Sequence, residues 1–188
     1  SKEFVKGLPL DGVVVFGGDG TILRAADIAH GTNAPIIGIN LGKVGFLAEI
    51  SRPEPEEILN ALINKKIVGE PRLTIGFKVI RNENEIATGW ALNEVVIERS
   101  GTSMLELFAQ IDDRPLSRWG CDSVICATPT GSTAYAFSAG GPVVWPEVDA
   151  IILLPLAAHA LFSDPMVVSP NSTVVIDIES QSSEITAD

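Results

Sequence analysis

The chain has 188 residues, 46% hydrophobic and 20% charged, which is enough apolar content for one large domain or two small ones. Lys and Arg number 13 against 24 Asp and Glu, a formal charge of −11. That balance excludes a general nucleic-acid backbone binder, which needs a basic face, so a phosphorylated ligand must be held by backbone N–H groups, a few basic side chains or a metal ion.

The chain opens with SKEFVKG and shows no signal peptide. Val13–Phe16 reads as a fully buried strand, and a glycine-rich GGDGT turn follows it. A helix is predicted over Thr21–His30, with Ile22, Leu23, Ala25, Ala26, Ile28 and Ala29 apolar and Gly31 as its stop. PIIGIN, residues 35–40, predicts a second buried strand, so a parallel βαβ unit with a right-handed crossover is expected. SRPEPEEILNALINKK predicts another helix, with Ile58, Leu59, Leu62 and Ile63 on one face. A boundary is expected near Lys65–Gly69, giving an α/β domain over 1–68 and a β-rich domain over 69–188.

Beyond that boundary the apolar period falls to two. RLTIGFKVI alternates, RNEN turns, and IATGWALNEVVIE is expected to return as one strand. MLELFAQI alternates before a DDRP turn, and DSVICATP and STVVIDIE predict two further strands. AIILLPLAAHALF is too short to cross a membrane and is interrupted by Pro155. Cys121 and Cys126 suit neither a zinc site nor a disulfide framework, and they read as reduced thiols of a cytoplasmic protein. The tail ESQSSEITAD is read as stopping without a closing element, and both abrupt ends suggest a fragment.

Three stretches carry chemistry. In GGDGT, Gly17, Gly18 and Gly20 let backbone approach a phosphate at a helix N-terminus, where the dipole favours anions. Asp19 repels phosphate, so it suits a metal ligand or an acceptor for a hydroxyl proton; a plain tight turn is the competing reading. The spacing is neither the dinucleotide fingerprint nor the P-loop. In CATPTGSTAYAFSAGGP, Thr130, Ser132, Thr133, Tyr135 and Ser138 offer hydroxyls, and Gly131, Gly140 and Gly141 offer backbone access. These suit ribose and phosphate oxygens, or simply a capped helix before a glycine loop. In ALNEVVIE, Asn93 shares a strand side with Ala91, Val95 and Ile97 and needs a partner, whereas Glu94 on the opposite side can face solvent.

In chain order, GGDGT, ALNEVVIE and TPTGSTAYAFSAGGP, with INLGKVGFLAE between the first and the second, resemble the motifs of the NAD kinase family over roughly Val13 to Glu179. GGDGT alone is shared with lipid kinases and phosphofructokinases, and TPTGSTAY is far more specific. The resemblance implies an N-terminal α/β domain and a C-terminal β-rich domain with NAD between them. It further implies ATP or polyphosphate as donor, a divalent metal such as magnesium, and transfer to the adenosine-ribose 2′-hydroxyl of NAD to give NADP. By the same resemblance Asp19 is the catalytic aspartate, with Gly17, Gly18, Gly20 and Thr21 beside it and Arg24 near phosphate. Asn93 and Glu94 contact the adenosine part of the acceptor, and if both do so the strand should break there. Asp122 lies near the nicotinamide amide, and Thr130, Gly131, Ser132, Thr133, Ala134, Tyr135 and Ser138 line the acceptor pocket.

The chain departs from the family at Gly120, where some members carry a basic residue, which leaves the preference between NAD and NADH open. The family's first strand–helix unit and its last β segment are not seen. His159 reads as a structural polar residue. A homodimer or homotetramer is implied, with no nucleic acid or membrane as partner. A lipid or sugar kinase sharing the loop, or a dinucleotide-binding protein without turnover, are the alternatives.

Overall fold

The computed structural model describes residues 10–40, 47, 50–51, 55–64, 66–160, 162–180 and 183–188. Residues 41–46 and 48–49 of the INLGKVGFLAE motif, residues 52–54 of the second predicted helix, and Lys65 at the expected boundary lie outside the described residues. The chain forms two compact units, Ser1–Pro71 and Arg72–Asp188.

In the first unit, β1 (Val13–Phe16) pairs in parallel with β2 (Ile36–Asn40), from Val13 opposite Ile36 to Phe16 opposite Ile39. A short β3 (Ile50–Ser51) extends the sheet beyond β2. Between β1 and β2 runs α1 (Asp19–Ala29), which buries Ile22, Ala25, Ala26 and Ala29. The helix begins two residues before the predicted Thr21, because the Gly18 carbonyl accepts the N–H groups of both Thr21 and Ile22. Gly31 ends it with φ +81°, a conformation glycine adopts at no steric cost. Strand β1 is not fully buried as expected. Val15 packs on Ile22 and Ala25 of α1, while Val14 and Phe16, on the other face, are exposed. The second helix, α2 (Pro55–Ile63), also differs: Ile58 packs against Ile37 and Ile39, but Leu59 and Ile63 are exposed. The four apolar positions span more of the helix circumference than one sheet face can cover.

The second unit is antiparallel throughout. A hairpin joins β4 (Ile75–Arg81) to β5 (Asn84–Ala91), with Asn82 and Glu83 both at positive φ, as a two-residue primed turn requires. The expected single return strand is instead two: β5 stops at Ala91, and β6 (Glu94–Arg99) enters a different sheet. A second hairpin, β7 (Leu105–Ile111) to β8 (Arg114–Cys121), turns in the same way at Asp112 and Asp113. Strand β9 (Ser123–Ala127) then pairs with β6 on one side and β10 (Ile151–Leu156) on the other. Strands β11 (Met166–Val168), β12 (Val174–Ile178) and β13 (Ser183–Ala187) complete a five-stranded sheet, β11-β10-β9-β6-β13, and a three-stranded one, β12-β7-β8. The tail read as lacking a closing element is therefore β13, laid along β6 from Ser183 opposite Arg99 to Ala187 opposite Val95. Pro155 is tolerated in β10 because β11 covers only Ile151–Leu153, so one flank is unpaired where the proline lacks its N–H.

Alternation along β9 explains where ligand-facing chemistry can sit. Val124 joins Leu105, Leu107, Ala109, Trp119, Cys121 and Leu153 in the core between the two sheets. Ile125 and Ala127 point the other way and join Val96, Ile152, Leu154 and Ala136. That second face of the central sheet carries a 3-10 turn (Thr130–Thr133) and the one-turn α3 (Tyr135–Ser138).

Candidate active site

In the first unit, the β1 ladder continues into the glycine loop, since the Gly17 N–H donates to the Ile39 carbonyl at 2.9 Å. The three glycines are not equivalent. A Cβ at Gly17 would lie 2.6 Å from Thr21 Oγ1, so the fold itself requires glycine there. At Gly18 and Gly20 a Cβ would meet nothing within 4 Å among the described residues. Both are exposed, and among the described residues nothing covers the helix start beside them. Asp19 is the first residue of α1, and its Oδ1 accepts the Leu47 N–H at 3.1 Å. That bond from 28 residues away fixes the carboxylate at the positive end of the helix. Thr21 and Arg24 are exposed on the first turns of the same helix.

In the second unit, the gap between β5 and β6 places Asn93 and Glu94 side by side, and both are buried, at 7% and 5% exposure. Glu94 lies on the side opposite Val95 and Ile97, as the alternation suggested, but that side does not face solvent: it is the face of Val96, which the Thr130–Ser138 segment covers. The Asn93 carbonyl accepts the Thr128 N–H at 2.8 Å, and the Asn93 N–H donates to the Asp188 carbonyl at 2.7 Å. Gly131 lies directly on this backbone: a Cβ there would be 2.1 Å from the Asn93 oxygen. Asn93 Oδ1 and Glu94 Oε2 are buried without a hydrogen-bond partner among the described residues. Such atoms are rare in folded proteins and call for a partner. Burial pushes the Glu94 carboxyl up to about 7, with the Asp188 carboxylate adding to the rise and a hydrogen bond from the Tyr135 N–H opposing it.

The sequence of the ATP-NAD kinase N-terminal domain family matches residues 6–67, and that of the ATP-NAD kinase C-terminal domain family matches residues 92–188. The chain belongs to the NAD kinase family. It is 48% identical over 174 residues to NAD kinase 2 of Streptomyces avermitilis and 54% identical over 170 residues to the NAD kinase of Corynebacterium diphtheriae. These alignments cover 90% and 89% of this chain but 58% and 54% of those relatives, so the chain spans little more than half their length. Among solved structures it resembles yeast NADH kinase complexed with NADH, with TM-score 0.88 and 29% identity, covering all of this chain and 56% of that one. It also resembles an NAD kinase from Archaeoglobus fulgidus in complex with ATP, with TM-score 0.74 and 33% identity, covering all of this chain and 74% of that one.

Within this NAD kinase fold the remaining predicted residues separate into distinct roles. Ser132 is fully buried, and its hydroxyl is committed to the chain: it donates to the Pro129 carbonyl at 2.6 Å and accepts the Val144 N–H at 3.0 Å. Thr130 and Gly131 are also buried, whereas Thr133 and Ala134 are half-buried, and Tyr135 and Ser138 are exposed. Asp122 is not brought to Asn93 and Glu94 within this unit. The β6–β9 register sets Glu94 opposite Ala127 and Glu98 opposite Ser123, so Asp122, five residues from Ala127, lies about 17 Å along the ladder at roughly 3.4 Å per residue. There its carboxylate pairs with Arg99 Nε at 2.8 Å. The His159 side chain is exposed, and its backbone N–H donates to the Gly120 carbonyl, so its structural part is played by the main chain. Burial pushes the thiols of Cys121 and Cys126 up to about 11 and about 12. Among the described residues, no group of three or more His, Cys, Asp or Glu is placed to hold a metal ion, and no helix is long and apolar enough to cross a membrane. Sequence reasoning passed over Thr128, the first residue of TPTGSTAY, and Asp188, whose only local cue is its place at the end of an alternating run.

Proposed function

We propose that this chain carries the chemistry of an NAD kinase: phosphoryl transfer from ATP, or polyphosphate, to the 2′-hydroxyl of the adenosine ribose of NAD, giving NADP. The observation that carries this reading is the buried Asn93–Glu94 pair with two unpaired side-chain oxygens, set against the Thr130–Ser138 segment. An amide and a carboxyl together suit paired ribose hydroxyls, which donate and accept at once. In the donor part, Gly17, Gly18, Gly20 and Thr21 present backbone to phosphate at the N-terminus of α1, with Arg24 one turn on. Asp19 takes the proton of the 2′-hydroxyl as the new oxygen–phosphorus bond forms, the bond to the bridging oxygen breaks and ADP leaves.

Among the described residues this loop supplies one carboxylate, Asp19, so a magnesium ion would arrive with the donor's phosphates beside it and would neutralise charge on the transferring group. Thr130, Gly131, Ser132, Thr133, Ala134, Tyr135 and Ser138 shape the acceptor pocket, Ser132 by holding its backbone, and Asp122 serves the nicotinamide amide. The domains are an α/β donor-phosphate part over 1–68 and a β-rich acceptor and assembly part over 69–188. Exposed Val167 and Val175 support assembly as a homodimer or homotetramer. The reduced-thiol composition supports a cytoplasmic location. The test is formation of NADP from NAD and ATP with magnesium by the full-length protein, repeated with polyphosphate in place of ATP. Absence of NADP with either donor would overturn the reading.

A further inference from the structure

Thr128 is wholly buried, and it ties together two segments that are 35 residues apart in sequence. Its Oγ1 donates to the Leu92 carbonyl at 2.6 Å and accepts the Gly131 N–H at 3.1 Å. Its backbone N–H donates to the Asn93 carbonyl at 2.8 Å. One residue therefore satisfies both carbonyls exposed by the β5–β6 break and a free N–H, that of Gly131, in the first half of the 3-10 turn. The Thr128 N–H carries the β6–β9 register one pair beyond Glu94 and Ala127, and the Leu92 carbonyl, between strands of different sheets, is taken by the hydroxyl. Gly131 completes the clasp from the other side by lying flat on the Asn93 backbone. A valine has the same shape as threonine but can neither donate to Leu92 nor accept from Gly131, so two buried backbone groups would be orphaned at once.

We infer that Thr128 is a positioning residue for the acceptor nucleotide: its hydroxyl locks the Leu92–Asn93 break onto the Thr130–Thr133 turn and thereby sets Asn93 and Glu94 for the ligand. The inference rests on the reading that the Asn93–Glu94 pair contacts NAD. It predicts an effect confined to the acceptor. In the full-length enzyme, Thr128→Val should raise the calorimetric Kd for NAD by about tenfold or more, the loss of one to two buried hydrogen bonds, with KM for ATP little changed. Thr128→Ser, which keeps the hydroxyl and drops the methyl, should restore most of the NAD affinity.

Asn93→Ala is the reference. If it weakens NAD binding and Thr128→Val does not, the positioning role alone is overturned. If Asn93→Ala binds NAD as the wild type does, the acceptor-site reading fails and takes this inference with it. Equal loss of NAD and ATP affinity in Thr128→Val, or no rescue by serine, marks a general structural role and also overturns it. Should the valine variant not fold, amide exchange of the wild type decides. NAD is expected to slow exchange at the Thr128 and Gly131 amides, and unchanged exchange there on NAD addition would refute the role.

Discussion

Replacing Glu94 with glutamine should make the protein more stable at high pH. Burial lifts the carboxyl from 4.5 to about 7, so the folded state binds a proton more tightly than the unfolded chain does. The contribution of Glu94 is therefore least costly below pH 4.5, turns unfavourable as pH rises towards 7, and reaches its full cost above that. A shift of this size corresponds to about 3 kcal/mol, at roughly 1.4 kcal/mol per pH unit. Glutamine never ionises, keeps the size, can still accept the Tyr135 N–H, and removes the repulsion with the Asp188 carboxylate. The two proteins should have similar unfolding free energies in urea at about pH 4, below the unfolded value. At pH 8 the variant should be the more stable by up to about 3 kcal/mol. Every other titrating group is common to both, so the difference between the two pH profiles isolates Glu94. Parallel profiles, or a variant less stable than wild type at pH 8, would refute the claim that this carboxyl is buried and uncompensated.

Asp19→Asn should lower turnover by about 10²–10⁴ while NAD affinity changes by less than about tenfold, because asparagine keeps the Leu47 contact but cannot take a proton; recovery of the rate by raised magnesium would assign Asp19 to the metal instead. Ser132→Ala should cost about 1–3 kcal/mol of unfolding free energy, since it orphans the buried Val144 N–H, and a loss of NAD affinity at unchanged stability would instead make Ser132 a ligand contact. Asp122→Ala removes an exposed ion pair with Arg99 that is worth under about 1 kcal/mol, so thermal stability should hold while NAD binding weakens; unchanged NAD affinity would remove Asp122 from the acceptor site.

Local chemistry in the sequence was enough to place the βαβ start, the Gly31 stop and both hairpin turns, because each depends on residues adjacent in the chain. It also singled out Asn93 as a polar residue on an apolar strand side. Three features depended on distant partners and were decided only by the tertiary structure. IILLPL has no periodicity, and it is a strand because β9 and β11 flank it. SEITA alternates, but an isolated alternating pentapeptide is indistinguishable from a polar tail until β6 supplies its ladder. Glu94 follows the break at which the chain changes sheets, and it is buried rather than solvated because the Thr130–Ser138 segment, distant in sequence, covers the face of β6 that it shares with Val96. The same break exposes the carbonyls that Thr128 must satisfy. Its hydroxyl is unremarkable in a one-dimensional reading, since the bonds that give it a role run to residues brought beside it only by folding.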